Sequence, residues 1–240
     1  MKRILITGAN KSIGFEATRQ LLRMGHFVFL GSRDLQRGND AIQKLKEEGL
    51  TNVELLSIDV ADKKSVDAAA AALSARIDRL DVLINNAGIA GQMPQNASTV
   101  AVENIRQVFD TNFFGAIQTT QAFIPLLKKS EEPCIVNVSS DLGSLGNHTN
   151  PDYPYVDVKL TAYCSSKTAL NAFTVMLAYE LRDTPFRVNS VNPGYTATDF
   201  NHHRGYKKVE DGAAVVVKYA LLDSSGPTGK FFSDDGETPW

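Results

Sequence analysis

Short runs of β-branched and aliphatic residues alternate with longer stretches of helical spacing along nearly all of this 240-residue chain. The strand-like runs are Arg3–Thr7, Phe27–Gly31, Val53–Ile58, Val82–Asn85, Cys134–Ser139, Arg187–Val191 and Gly229–Phe232. Several, such as Ile135-Val136-Asn137-Val138, lack polar alternation, the pattern of a strand covered on both faces. Between them, Ile13–Met24, Asp34–Glu48, Lys63–Arg79, Ala101–Lys128, Ala162–Arg182 and Lys208–Leu222 carry helical spacing. The alternation predicts one α/β domain over residues 1–240, a doubly wound parallel sheet of about seven strands with helices on both faces. Ligands of such sheets bind beyond the carboxyl ends of the strands. Two polar stretches fall there: 141–160, with Pro151 and Pro154, reads as a loop, and 195–207, after a Pro-Gly turn, as a lid.

Composition narrows the partners. Twenty-five basic residues stand against 27 acidic ones, so no cationic excess exists to meet a nucleic-acid backbone. Cys134 and Cys164 are the only cysteines, which excludes a disulfide framework and a cysteine-cluster metal site. His202-His203 are adjacent and cannot easily converge on one ion, so no metal is expected. Only three apolar residues precede Thr7-Gly8, too few for a secretory core, and no run approaches the ~18 apolar residues of a membrane span. These features predict a cytoplasmic protein with a small-molecule substrate and no membrane partner.

Thr7-Gly8-Ala9-Asn10-Lys11-Ser12-Ile13-Gly14 joins the first strand to the first helix. At that junction Gly8 permits a tight turn and Gly14 a close helix-strand approach. The helix N-terminus then offers unpaired N–H groups to a pyrophosphate. The turn resembles the Thr-Gly-x-x-x-Gly-x-Gly fingerprint of the short-chain dehydrogenase/reductase family, with Ser12 at the middle glycine. A positive φ there would strain a serine. The Asn-Lys form is similar to the carbonyl-reductase branch.

The resemblance implies a single-domain Rossmann-type fold and cofactor contacts from Gly8, Asn10, Lys11, Ser12, Ile13 and Gly14. Asp59-Val60 resembles the family's adenine contact, and Asn86 lies in Asn85-Asn86-Ala87-Gly88, which matches its Asn-Asn-Ala-Gly motif. After the second strand, where NAD-binding folds place an acid, this chain has Ser32-Arg33. A guanidinium fork suits a 2′-phosphate, Lys11 adds a second charge, and Asp34 reads as a helix N-cap; the expected cofactor is NADP(H).

Carbonyl reduction needs a proton donor, and a Tyr four residues before a Lys on a helix places phenol and ammonium on one face. The ammonium is expected to draw the phenol down toward working pH. Two such pairs occur, Tyr155…Lys159 and Tyr163…Lys167. The first follows two prolines and is interrupted by β-branched residues, which disfavours a helix. The second opens a long helical stretch and resembles the family's Tyr-x-x-Ser-Lys-x-Ala-Leu segment. Tyr163 and Lys167 are therefore assigned to catalysis and to the cofactor.

The same resemblance implies that Ser140 hydrogen-bonds the substrate oxygen and that Asn112 anchors a water in a proton relay. Pro193, Gly194, Thr196 and Thr198 form the turn against the carboxamide and pyrophosphate. Ser140 and Tyr163 lie 23 positions apart, longer than in most members, so 141–160 is an inserted active-site loop with precedent in the carbonyl-reductase branch. The family often pairs through its fifth and sixth helices, a surface the insertion abuts; a monomer and a homodimer both stay open. The activity implied is NADPH-dependent reduction of an aldehyde or ketone. The alternative is a catalytically silent NADP(H)-sensing or scaffolding protein on the same fold, against which Ser140, Tyr163 and Lys167 all stand.

Overall fold

The computed structural model describes residues 1–240. Its strands are β1 (Arg3–Ile6), β2 (Phe27–Ser32), β3 (Val53–Ser57), β4 (Val82–Asn85), β5 (Cys134–Val138), β6 (Arg187–Val191), β7 (Phe231–Ser233) and β8 (Gly236–Glu237). Its helices are α1 (Ser12–Arg23), α2 (Leu35–Glu47), α3 (Lys63–Ser74), α4 (Val102–Phe109), α5 (Gly115–Leu127), α6 (Leu145–Thr149), α7 (Thr161–Glu180) and α8 (Val209–Ala220). The strands form one sheet in the order β3-β2-β1-β4-β5-β6-β7-β8, parallel throughout except for β8. The order reverses between β1 and β4, which opens a crevice at their carboxyl ends.

Strand periodicity divides the core in two. Ile4 and Ile6 of β1 face one layer with Val28, Leu30, Val82 and Ile84, against α1, α2 and α8. Leu5, Phe29, Leu83, Ile135 and Val188 face the other, against α3, α5 and α7. Both faces are thus covered, which accounts for the unalternated apolar runs. Asp34 and Asp62 cap α2 and α3 by accepting from the backbone N–H of Arg37 and Lys64. Helix α1 has no side-chain cap, so its first N–H groups stay available at the crevice.

The expected seven or so parallel strands are β1–β7, to which β8 adds a two-residue antiparallel edge. Three other expectations need correction. The helix expected over Ala101–Lys128 is interrupted by a π turn at Asp110–Phe114, where Gly115 N–H donates to the Asp110 carbonyl and Asn112 turns inward. Residues 141–160 are only partly a loop. They contain a 3₁₀ turn at Asp141–Gly143 and α6, whose N-terminus Ser144 caps by accepting from Asn147 N–H. Helix α3 ends at Ser74, short of Arg79.

Ser12 begins α1 at φ +53°. A Cβ in that left-handed region costs about 1–2 kcal/mol. Ser12→Gly is expected to stabilise the fold by about 0.5–1 kcal/mol after glycine's own entropy cost, read as a higher urea midpoint. An unchanged or lower midpoint would contradict strain at this turn.

Candidate active site

A cavity of about 1420 Å³ runs along the carboxyl edge of the sheet, from the β1–α1 turn to the segment after β6. That exceeds the usual range for one small ligand and has room for a dinucleotide beside a substrate. Gly8, Asn10, Lys11, Ser12, Ile13, Gly14, Arg33, Asp59, Val60 and Asn86 line one end; Ser140, Tyr163, Lys167, Pro193, Gly194, Thr196 and Thr198 line the rest. Asn112 is the one assigned residue behind the wall.

The turn is built for close approach. Gly8 has φ +62°, and a Cβ there would sit 2.9 Å from Ala87 Cα. A Cβ on Gly14 would lie 2.5 Å from Asn86 Nδ2, which donates to the carbonyls of Thr7 and Gly8. With the uncapped start of α1 and the cations Lys11 and Arg33, these residues fit a dinucleotide. Arg37, one helical turn after Arg33 near the start of α2, also lines this end; its spacing from Arg33 was the available signal.

Tyr163 and Lys167 occupy the first two turns of α7. No local side chain caps this helix; Gln95, 2 % exposed, reaches across to accept from Tyr163 N–H at 3.1 Å. Nothing in the sequence spacing announces that long-range cap. Lys167 Nζ donates to the Val138 carbonyl at 2.7 Å and lies 5.8 Å from the Tyr163 ring centroid. Burial lowers the ammonium from 10.5 to about 8.

The Tyr163 phenol departs from expectation. Burial pushes it above its ordinary value, the Ser140 hydroxyl pulls it down, and the Asp141 carboxylate adds a further upward push. Lys167 is not among the groups that draw it down; its ammonium donates to the Val138 carbonyl at the end of β5.

Ser140 Oγ accepts from Leu142 N–H at 3.2 Å and donates to Asp141 Oδ1 at 3.2 Å. Asn112 is fully engaged: Oδ1 accepts from Ile89 N–H at 2.8 Å, and Nδ2 donates to the Ile89 carbonyl and Ser166 Oγ, each at 3.0 Å. The rival pair is not helical. Tyr155 lies in a turn and lines the cavity, while Lys159 Nζ donates to the His148 carbonyl at 2.9 Å.

Beyond β6, residues 195–207 close on themselves through a bridge between Thr196 and Lys207. Phe200 lies over Tyr163 with centroids 5.3 Å apart. Asp199 approaches the glycine-rich turn, 3.5 Å from Lys11 Nζ and 3.5 Å from Ser12 Oγ, and pairs with His203 at 3.0 Å.

The family model for short chain dehydrogenases matches residues 2–208. A (+)-neomenthol dehydrogenase of Arabidopsis thaliana is 35 % identical over 282 aligned positions, covering 95 % of each chain. The salutaridine reductase structure from Papaver somniferum superposes with a TM-score of 0.85 at 29 % identity, covering 98 % of this chain and 100 % of that one. The NADPH-bound carbonyl reductase from chicken fatty liver gives 0.87 at 27 % identity, covering 100 % and 99 %. This chain belongs to the short-chain dehydrogenase/reductase family of oxidoreductases. No helix is long and apolar enough to cross a membrane.

The depressed Lys167 ammonium has a consequence for stability. An unfolded chain keeps this lysine protonated to about 10.4, so below pH 8 the folded state carries the cost of a buried charge. That cost vanishes as pH rises from 8 to about 10.4. Lys167→Met is therefore expected to be more stable than wild type at pH 7 by about 1–3 kcal/mol, with the gap closing toward pH 10. Urea titrations across that range check it; a gap independent of pH contradicts the buried charge.

Proposed function

We propose that this protein is an NADPH-dependent reductase of aldehydes or ketones. The observation that carries the reading is the placement of Ser140, Tyr163 and Lys167 on one wall of the cavity whose far end is the glycine-rich turn. NADPH, when bound, would supply the hydride that reaches the carbonyl carbon. Tyr163 would give its phenolic proton to the carbonyl oxygen, so the product is an alcohol. Ser140 Oγ, turning its proton from Asp141, would donate a hydrogen bond to that oxygen as charge builds on it. Lys167, still largely protonated at neutral pH, would stabilise the phenolate left on Tyr163 and hold the cofactor's ribose. Asn112 anchors the π turn beside Lys167, with its amide committed to Ile89 and Ser166.

On the cofactor side, Gly8, Asn10, Ser12, Ile13 and Gly14 would hold the pyrophosphate, and Asp59, Val60 and Asn86 the adenosine. Pro193, Gly194, Thr196 and Thr198 would hold the nicotinamide end. Small Ser32 beside Arg33 leaves room for a 2′-phosphate, which Lys11, Arg33 and Arg37 would share. The relatives support this class of chemistry by name, two as reductases and one as a dehydrogenase. Residues 141–160 and 195–207 serve as the inserted wall and the lid over the substrate.

Tyr163→Phe is expected to lower kcat by about 10²–10⁴ while leaving NADPH affinity intact, and Tyr155→Phe to keep most of the activity. Oxidation of NADPH with a panel of quinones, diketones and aldehydes measures both. Full activity in Tyr163→Phe with loss in Tyr155→Phe reverses the assignment. Arg33→Ala is expected to weaken NADPH by about tenfold or more and NADH far less, by fluorescence titration. Equal weakening of the two refutes the 2′-phosphate contact.

A further inference from the structure

An acid follows Ser140. Asp141 opens the 3₁₀ turn after β5, lines the cavity and is half-buried. Its Oδ1 accepts from Ser140 Oγ at 3.2 Å and from Leu142 N–H at 3.0 Å. No cation of the protein pairs with it, for all ion pairs join other residues. Lys167 is held at the Val138 carbonyl, Lys159 at His148, and Arg204 stands exposed on the rim. A carboxylate withdrawn from water without a counter-charge is costly. Here it also burdens the chemistry, since after burial its charge is the further push that keeps the Tyr163 phenol up.

Aromatic rings line the same cavity as that charge. Tyr153 meets Tyr155 edge-on at 5.6 Å, and Tyr155 meets Tyr195 at 5.8 Å with the planes 58° apart. Tyr155, Tyr195 and Phe200 line the cavity with Asp141. A carboxylate beside tilted ring faces is an arrangement that attracts organic ammonium ions, through charge and through the ring quadrupoles. A neutral flat substrate would use the rings and leave the carboxylate unpaired.

We infer that the substrates of this site are carbonyl compounds bearing a protonated amine, with Asp141 as counter-charge and Tyr155 and Tyr195 as the ring faces that flank it. The inference rests on the reductase reading above and adds the substrate class. A bound ammonium offsets the Asp141 field at Tyr163, so the substrate removes a charge that otherwise opposes formation of the phenolate.

The test uses ketones matched in shape, one with a tertiary amine protonated at neutral pH and one with carbon in its place. Wild type is expected to show a kcat/KM about tenfold or more higher for the amine, and Asp141→Asn to lose most of that preference. Because Asp141 touches Ser140, the ratio between the two ketones is the reading, not either rate. Wild type alone supplies a second arm: tetramethylammonium is expected to compete with substrate at lower concentration than uncharged tert-butanol. Equal kcat/KM for the two ketones, a preference that survives in Asp141→Asn, or no advantage of tetramethylammonium overturns the inference. Failure to reduce either ketone or any member of the neutral panel strikes the reductase reading instead.

Discussion

A buried ladder of amides and hydroxyls fixes helix α7 against the sheet, and the geometry of the site depends on it. Asn85 Nδ2 of β4 donates to Asn137 Oδ1 of β5 at 2.8 Å, and Asn137 Nδ2 donates to Thr174 Oγ1 of α7 at 2.8 Å. The Thr174 hydroxyl in turn lies 2.8 Å from Ser190 Oγ on β6. Each bond is worth only about 0.5–1.5 kcal/mol net, but misplacing a buried partner forfeits the full desolvation cost. An apolar seam tolerates sliding, whereas this one does not. Thr174 lies about two helical turns after Lys167, on the same face, and Tyr163 lies one turn earlier still. Locking Thr174 therefore delivers the Lys167 ammonium to the end of β5 and sets the phenol beside Ser140.

The cavity those residues line carries charges of both signs. At one end Lys11, Arg33 and Arg37 line the crevice together with Asp34 and Asp59; elsewhere the charged lining residues are Lys167, turned to a carbonyl, the unpaired Asp141 and Arg204. Asp199, in the segment after β6, reaches the glycine-rich turn, 3.5 Å from both Lys11 Nζ and Ser12 Oγ. Ser12, His202 and His203, the non-glycine residues in left-handed backbone, all lie at this seam. Strain gathered where two segments meet is typical of places that carry ligands.

Much of this was legible in the chain, because periodicity and local turn chemistry act over short range. The apolar runs gave six strands to within a residue, and Asp34 as a cap follows from its position before the first helical residue. The choice between the two Tyr-x-x-x-Lys pairs rested on prolines and β-branched residues around Tyr155, and that segment is a turn. What escaped was set by distant partners. Gln95 caps α7 from a loop 68 residues away, and the π turn at Asn112 requires the inward contacts to Ile89 and Ser166. Asp141 reads as an ordinary loop acid until the fold places it in the same cavity as Tyr155 and Tyr195.

The ionisation balance of Tyr163 and Lys167 bears on the direction of the proposed reaction. Burial favours the neutral form of each, so the phenol is held up and the ammonium down. A raised phenol holds its proton until the carbonyl oxygen gains charge, but the same push makes the phenolate harder to form. Lys167, at about 8, still carries its charge at neutral pH, with its Nζ 5.8 Å from the Tyr163 ring centroid. Oxidation of an alcohol asks for the reverse, a phenolate ready before the substrate reacts, against both burial and the Asp141 carboxylate. The same buried pair therefore keeps Tyr163 in the protonated form that the proposed donor role needs at neutral pH. A substrate cation beside Asp141 would lift one of the two penalties on the phenolate, which ties the ease of proton transfer to the charge of the molecule acted upon.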